Sequence, residues 1–325
     1  MPDIWAAPSH NGNLLSASRG VRHDDRGAVT KLYTAADGSQ ASVPGSLRSH
    51  LRQGFALLPP EYRRFILHRM GRYAPWEREF DFTPPRLGDG EQSGPPEFVG
   101  IGVQKAGTTW WFQLMVAHAG ISSPPGVHKE RHFFDRFGAA PMSALDIEDY
   151  HGWFPRPAGS ITGEWTPDYF TLPWVPGLLR RAAPETRLLL LLRDPVERFR
   201  SGLDHHERMG MPRNGAAMAD AVQRGFYYRA LTQWLEHFPA DQILILQHER
   251  CVVDPIGQLH RTFSHLGLPD DPAAIAVQPA RPPAPAGVQL ADEVKEYLVH
   301  LYSADVAALV ENVPEFDVTL WPNFA

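Results

Sequence analysis

Two short stretches of the sequence combine the residue types and spacing of anion chemistry. The first, GVQKAGTTWW from Gly102 to Trp111, follows the apolar run FVGIGV, Phe98–Val103. A strand, a glycine turn and a helix start make a phosphate site. Glycine lets the backbone come close, and the first helical N–H groups point at the anion's oxygens. Gly102 and Gly107 keep the G-x-x-x-x-G interval of a Walker loop, yet Thr108 stands where an NTPase has its lysine, and Lys105 lies before the second glycine. The second stretch, LLLLLRDPVERFRSG from Leu188, runs from an apolar strand into Arg193 and Asp194. Asp194 suits an N-cap and Pro195 the first helical position, so Arg193 sits at a strand end beside a helix N-terminus. Ser201 lies about two turns into that helix, where it can face the same ligand. A Walker B strand ends in a metal-binding aspartate; an arginine here suits a second phosphate held without metal. Taken singly, each segment also admits a plainer reading: a glycine turn without ligand, and a surface network joining Arg193 to Asp194 or Glu197.

The elements that must position these loops read as an α/β domain, a central parallel sheet with helices on both faces. Phe98–Val103, Arg187–Leu192 and Gln242–Gln247 have the length and apolar texture of buried strands. Helical patterns cover Thr108–His118, a helix from Pro195, Ala216–Phe238, Pro255–Leu266 and Leu290–Val310. Strands alternating with helices imply βαβ units, and in such sheets ligands sit at the carboxyl ends of strands. Residues 1–96 read as an N-terminal extension and 97–325 as the catalytic domain. Within the extension, amphipathic stretches at Ser46–Tyr73 precede a Pro/Gly-rich linker at Trp76–Pro96.

Composition excludes several classes. The 325-residue chain is 43% hydrophobic with a net charge of −6, ordinary for a globular protein and unsuited to a general nucleic-acid binder. A single cysteine, Cys251, rules out an intramolecular disulfide framework. The first thirty residues lack the apolar centre of a secretory signal, and no run is long enough to span a membrane. A cytoplasmic protein is expected. Lysine is scarce beside arginine, which suggests a GC-rich bacterial genome. The Asp204, His205, His206 and Glu207 run invites a metal reading, but adjacent helical residues point apart, so no metal is expected.

Together these segments resemble the sulfotransferases that use 3′-phosphoadenosine 5′-phosphosulfate (PAPS). GVQKAGTTW resembles the family's 5′-phosphosulfate loop, PKSGTTW, with Gln104 for proline and Ala106 for serine. RDPVERFRSG resembles its 3′-phosphate motif. HKERHFFDRF and GEWTPDYF resemble segments of the heparan sulfate branch, KExHFFD and EKTPxYF. YHGWFP at Tyr150–Pro155 and GFYYRALTQWLEHFP at Gly225–Pro239 also read like family segments. The resemblance covers roughly 97–270.

The resemblance implies a co-substrate, PAPS, and assigns roles. Lys105 faces the leaving phosphate. Ala106, Gly107, Thr108, Thr109 and Trp110 complete the 5′ site. Arg193 and Ser201 hold the 3′-phosphate. Glu130 is the general base for the acceptor hydroxyl, with His132 and Asp135 near it, and Lys129 contacts the substrate. Trp165 stands where the heparan branch has lysine, which predicts a flatter, less charged acceptor: a small molecule or glycoside hydroxyl. Packing in the core is the plainer reading of that tryptophan. A homodimer is one arrangement open to the amphipathic stretches. A P-loop kinase and a non-catalytic nucleotide-binding module are the rivals; a magnesium requirement marks the first, and nucleotide binding without transfer the second.

Overall fold

The structure, a computed structural model, describes residues 84–123, 129–138, 141–208, 215–270 and 287–325, all within the unit Leu58–Ala325. The amphipathic stretches at Ser46–Tyr73 lie outside the described residues.

Four parallel strands form the central sheet: β1 (Phe98–Gly102), β2 (Gly163–Trp165), β3 (Arg187–Leu192) and β4 (Ile243–Gln247), in the order β2–β1–β3–β4. The two central strands explain the order. Phe98–Gly102 and Leu188–Leu192 are buried at every position, as expected of strands covered on both faces. Each leucine of β3 removed from water contributes about 1.5–3 kcal/mol, an upper figure because unfolded chains already bury some surface.

Helices flank the sheet. Helix α1 (Thr108–Met115) follows β1, α2 (Ala144–Gly152) and α3 (Val175–Ala182) bracket β2, and α4 (Pro195–Arg208) follows β3. Next come α5 (Gly215–Gln223), α6 (Tyr227–Leu235), α7 (His248–Val253), α8 (Pro255–Leu266) and α9 (Asp292–Asn312). Helix α1 packs against α8, and α9 packs against α6 and α4.

Four features differ from the sequence reading. The long helix expected over Ala216–Phe238 is two helices, α5 and α6. The Gly225 amide turns back onto the Val222 carbonyl at 3.0 Å, and the Tyr302 hydroxyl of α9 donates to that carbonyl at 2.9 Å, so the chain bends there. Helix α1 stops at Met115, and β2 is a strand that the sequence pattern does not announce. The end of the expected linker also pairs with the domain: Glu91–Gln92 runs antiparallel to Arg156–Pro157, and Arg156 donates to the Pro95 carbonyl at 3.1 Å.

Candidate active site

The phosphate loop sits where β1 ends. The Val103 amide still bonds to the Leu191 carbonyl of β3 at 3.0 Å, after which the backbone leaves the sheet through Lys105 at φ 70° and Gly107 at φ 91°. Gly107 must be glycine for two reasons. Its left-handed conformation costs an L-residue roughly 1–2 kcal/mol, and a Cβ there would lie 2.9 Å from Nδ1 of His248. No side chain caps α1, and its first intrahelical bond is Trp111 N–H to the Gly107 carbonyl at 3.1 Å. The Thr108 and Thr109 amides therefore lie at an open helix N-terminus, the arrangement that binds anions. His248, buried at the start of α7, backs the loop and meets Trp110 edge-on at 6.3 Å; the sequence carried no sign of it.

Arg193 and Asp194 end β3 as expected. Arg193 Nη1 donates to the Lys105 carbonyl at 3.1 Å and Nη2 lies 3.9 Å from Glu197, so the arginine ties the second motif to the phosphate loop. Asp194 caps α4 by accepting from the amides of Val196 and Glu197 at 2.9 and 3.3 Å. Its other oxygen accepts from the Asn323 amide and side chain at 3.1 and 2.9 Å, which ties the chain's last residues to the strand end. Burial still holds its carboxyl above the usual range, partly offset by Asn323. Ser201 is half-buried on α4.

Farther along α4, Asp204 pairs with Arg208 at 2.7 Å. Burial first, and then the charge of Arg208, hold the Lys105 ammonium below its usual range, and it also feels Asp204, Arg193 and Glu130. Lys105 thus lies within electrostatic reach of both the second motif and Glu130.

The expected base heads a polar chain. Glu130 Oε1 accepts from Lys129 Nζ at 2.7 Å, and Oε2 faces His132 Nε2 at 3.2 Å. His132 Nδ1 meets Asp135 Oδ2 at 2.9 Å. Burial pushes the Glu130 carboxyl up, but the His132 hydrogen bond and the Lys129 charge outweigh it, leaving it below its usual range. Burial lowers Lys129, and Glu130 opposes that shift. Lys129 Nζ also lies 3.4 Å from the Thr108 hydroxyl, so this chain touches the head of the phosphate helix. Lys129, Glu130, His132 and Asp135 therefore form one contiguous chain whose first member meets the loop that carries Lys105.

A buried carboxylate fixes that chain. Glu164 of β2 accepts from the hydroxyls of Thr166 at 2.6 Å and Tyr150 at 2.8 Å and from the Arg131 amide at 3.1 Å. The Thr166 hydroxyl in turn accepts from the amides of Arg131 and His132 at 2.9 and 3.2 Å. Burial raises the Glu164 carboxyl's pKa, offset in part by Thr166 and Tyr150. The Glu130 segment is thereby pinned to β2, which also holds it through the Trp165 amide and the Lys129 carbonyl at 2.8 Å.

Trp165 corrects the reading of the acceptor pocket. It is 0% exposed. Its indole lies across Gly100 of β1, so close that a Cβ there would sit 2.0 Å from the ring, and Nε1 donates to the Gly102 carbonyl at 3.1 Å. The ring offers no face to an acceptor; it supports the strand that carries the phosphate loop.

His132, Asp135 and Asp168 bring donor atoms within 4.8 Å of one another, the one such group among the described residues. Those atoms are engaged with each other and with Arg224, which donates to Asp168 at 2.6 Å; the group is an ion-pair network. Nothing in the sequence singles out Asp168 and Arg224.

Residues 95–278 match the family Sulfotransferase domain. Mouse heparan sulfate glucosamine 3-O-sulfotransferase 3B1 is 32% identical over 188 residues, 53% of this chain and 46% of that protein. The bifunctional heparan sulfate N-deacetylase/N-sulfotransferase 1 of Caenorhabditis elegans is 26% identical over 215 residues, 60% of this chain and 24% of that one. The chain thus spans about half the length, or less, of these relatives. A sulfotransferase from Alicyclobacillus acidocaldarius has the same fold, with TM-score 0.54 and 18% identity, covering 69% of this chain and 98% of that one. No helix among the described residues is long and apolar enough to cross a membrane. With the family's loop, strand-end arginine and glutamate segment brought together on one parallel sheet, the chain belongs to the sulfotransferase family.

Proposed function

We propose that the protein transfers a sulfuryl group from PAPS to an acceptor hydroxyl by in-line displacement. One observation carries the reading: the Lys129–Glu130–His132–Asp135 chain meets the phosphate helix at Thr108. That contact supports a base working beside an anion site, as transfer between a bound donor and a hydroxyl requires. Gly107, Thr108 and Thr109, with Ala106 and Trp110, hold the 5′-phosphosulfate. Arg193 and Ser201 hold the 3′-phosphate. Lys105 offsets charge on the departing phosphate, and Glu130 takes the hydroxyl proton as the sulfur–oxygen bond forms.

The acceptor belongs to a glycoside or another small hydroxyl compound. The relatives named for glucosamine favour a sugar, and Trp165, packed in the core, no longer argues for a flat aromatic. Lys129 sits beside Glu130, where it meets an acceptor's polar groups. A cytoplasmic setting fits the one cysteine, whose fully buried thiol has no need of a disulfide partner.

Calorimetry with adenosine 3′,5′-bisphosphate and AMP, in EDTA, tests the donor site. The bisphosphate should bind at least tenfold more tightly, roughly 1.4 kcal/mol, and without magnesium. Equal affinities, or a metal requirement, would contradict the site.

A further inference from the structure

His132 is held by more than the residues of its own segment. Its ring is buried, and its backbone, at φ 51°, is held by the hydrogen bond that its N–H donates to the Thr166 hydroxyl. On the Nδ1 side stand two carboxylates from different elements: Asp135 at 2.9 Å, and Asp168, from the turn after β2, at 3.9 Å. The second oxygen of Asp168 is taken by Arg224 Nη1 at 2.6 Å, and Arg224 Nε reaches Asp220 of α5 at 2.8 Å. Asp168 and Arg224 are both largely buried, whereas Asp220 is exposed.

We propose that Asp168 and Arg224 are a positioning pair for His132, setting how readily its imidazole carries a proton opposite Glu130. The inference rests on the sulfotransfer reading and deepens it. Two features support it.

The first is charge. Glu130, Asp135 and Asp168 bring three negative charges to the cluster, against Lys129 and an Arg224 that is shared with the exposed Asp220. An imidazolium at His132 reduces this negative excess. Glu164 lies one step away behind Thr166, and its carboxylate is answered by hydroxyls and the Arg131 amide. Buried charge is tolerated when it is paired, so carboxylates on both sides of the ring couple its proton to their charge.

The second is distance. Asp135 holds Nδ1 directly, while Arg224 keeps Asp168 about an ångström farther off, at 3.9 Å against 2.9 Å. Asp168 therefore acts on the ring by charge through space, and Arg224 limits that action. The two members must then influence His132 in opposite directions.

The test is an NMR titration of the His132 ring in the full chain, its signal assigned by loss in His132→Asn. Asp168→Asn removes a nearby negative charge and should lower the titration midpoint by about one pH unit, the scale of a charge at this range. Arg224→Met releases Asp168 and should raise the midpoint by about one unit; Arg224→Lys should restore it. Any limb of kcat that follows the Glu130–His132 pair should move in the same directions, with the KM for PAPS unchanged. Binding of adenosine 3′,5′-bisphosphate confirms that each variant is folded. Midpoints that stay fixed, or move in the same direction in both variants, overturn the pairing. Opposed shifts in the two variants, with a native protein that transfers no sulfuryl group, would leave the pair in place and overturn the sulfotransfer reading instead.

Discussion

Replacing Glu130 with glutamine separates the charge of the base from its shape. The glutamine oxygen can keep the contact to Lys129 at the 2.7 Å site, and its NH2 can meet His132 at the 3.2 Å site only as a donor to an unprotonated ring nitrogen; in neither case can it accept the acceptor's proton. Positioned general bases contribute about 10²–10⁴ in rate, or roughly 2.7–5.4 kcal/mol of barrier. The loss is expected in the chemical step. Glu130 is bonded to Lys129 and His132, not to the phosphate loop, so affinity for adenosine 3′,5′-bisphosphate should stay within about twofold. A secondary effect falls on Lys129: burial already lowers it, and Glu130 is the largest influence opposing that shift. Without the carboxylate Lys129 loses the partner that most opposes the effect of its burial. The Glu130 side chain is 39% exposed, so the stability cost is small and a melt should show a shift of only a few degrees. Single-turnover transfer from labelled PAPS measures the step itself. A rate within a few fold of native would refute the assignment and pass the role to His132.

Three further outcomes follow from the same geometry. Gly107→Ala should weaken bisphosphate binding about tenfold or more, roughly 1.4 kcal/mol, by straining the loop against His248; unchanged calorimetry would free the loop from that constraint. Trp165→Phe should cost roughly 2–4 kcal/mol in denaturant melts, through the lost bond to Gly102 and the void over Gly100. The acceptor KM should not change, and a raised KM with unaltered stability would return Trp165 to the pocket. Because Glu130 is held below its usual range, it stays ionised as pH falls past the ordinary glutamate value of about 4.3. The base, and the stability a depressed carboxylate adds above its unfolded value, are lost only as pH drops through the lower folded value. A kcat limb above about 4.3 assigned to Glu130 by its disappearance in Glu130→Gln would contradict this.

The strands and loops that bear the site were legible because local composition dictates them. RLLLLL can only be a doubly covered strand, and Asp194–Pro195 announces a helix start. What failed depends on partners distant in sequence. The break between α5 and α6 is set in part by Tyr302, across from Val222. Trp165 was misplaced because its motif gives its neighbours but not its face. The signal lay in β1, where Gly100 interrupts an apolar strand and so marks a close approach, here the indole of the paired residue. Asp168 lay inside a recognised segment, but its significance comes from Arg224, on another element. The Glu130 chain was read from its residue types; its attachment through Glu164 and Thr166 needed the fold.

Sulfuryl transfer itself can be observed by incubating the protein with PAPS labelled in the sulfuryl group and a panel of sugars, glycosides and phenols, without metal. Labelled sulfate esters should form on a hydroxyl acceptor, with one adenosine 3′,5′-bisphosphate released for each ester, and both products should be lost in Glu130→Gln. Tight binding of the bisphosphate with no ester on any acceptor, or transfer that survives unchanged in Glu130→Gln, would contradict the mechanism.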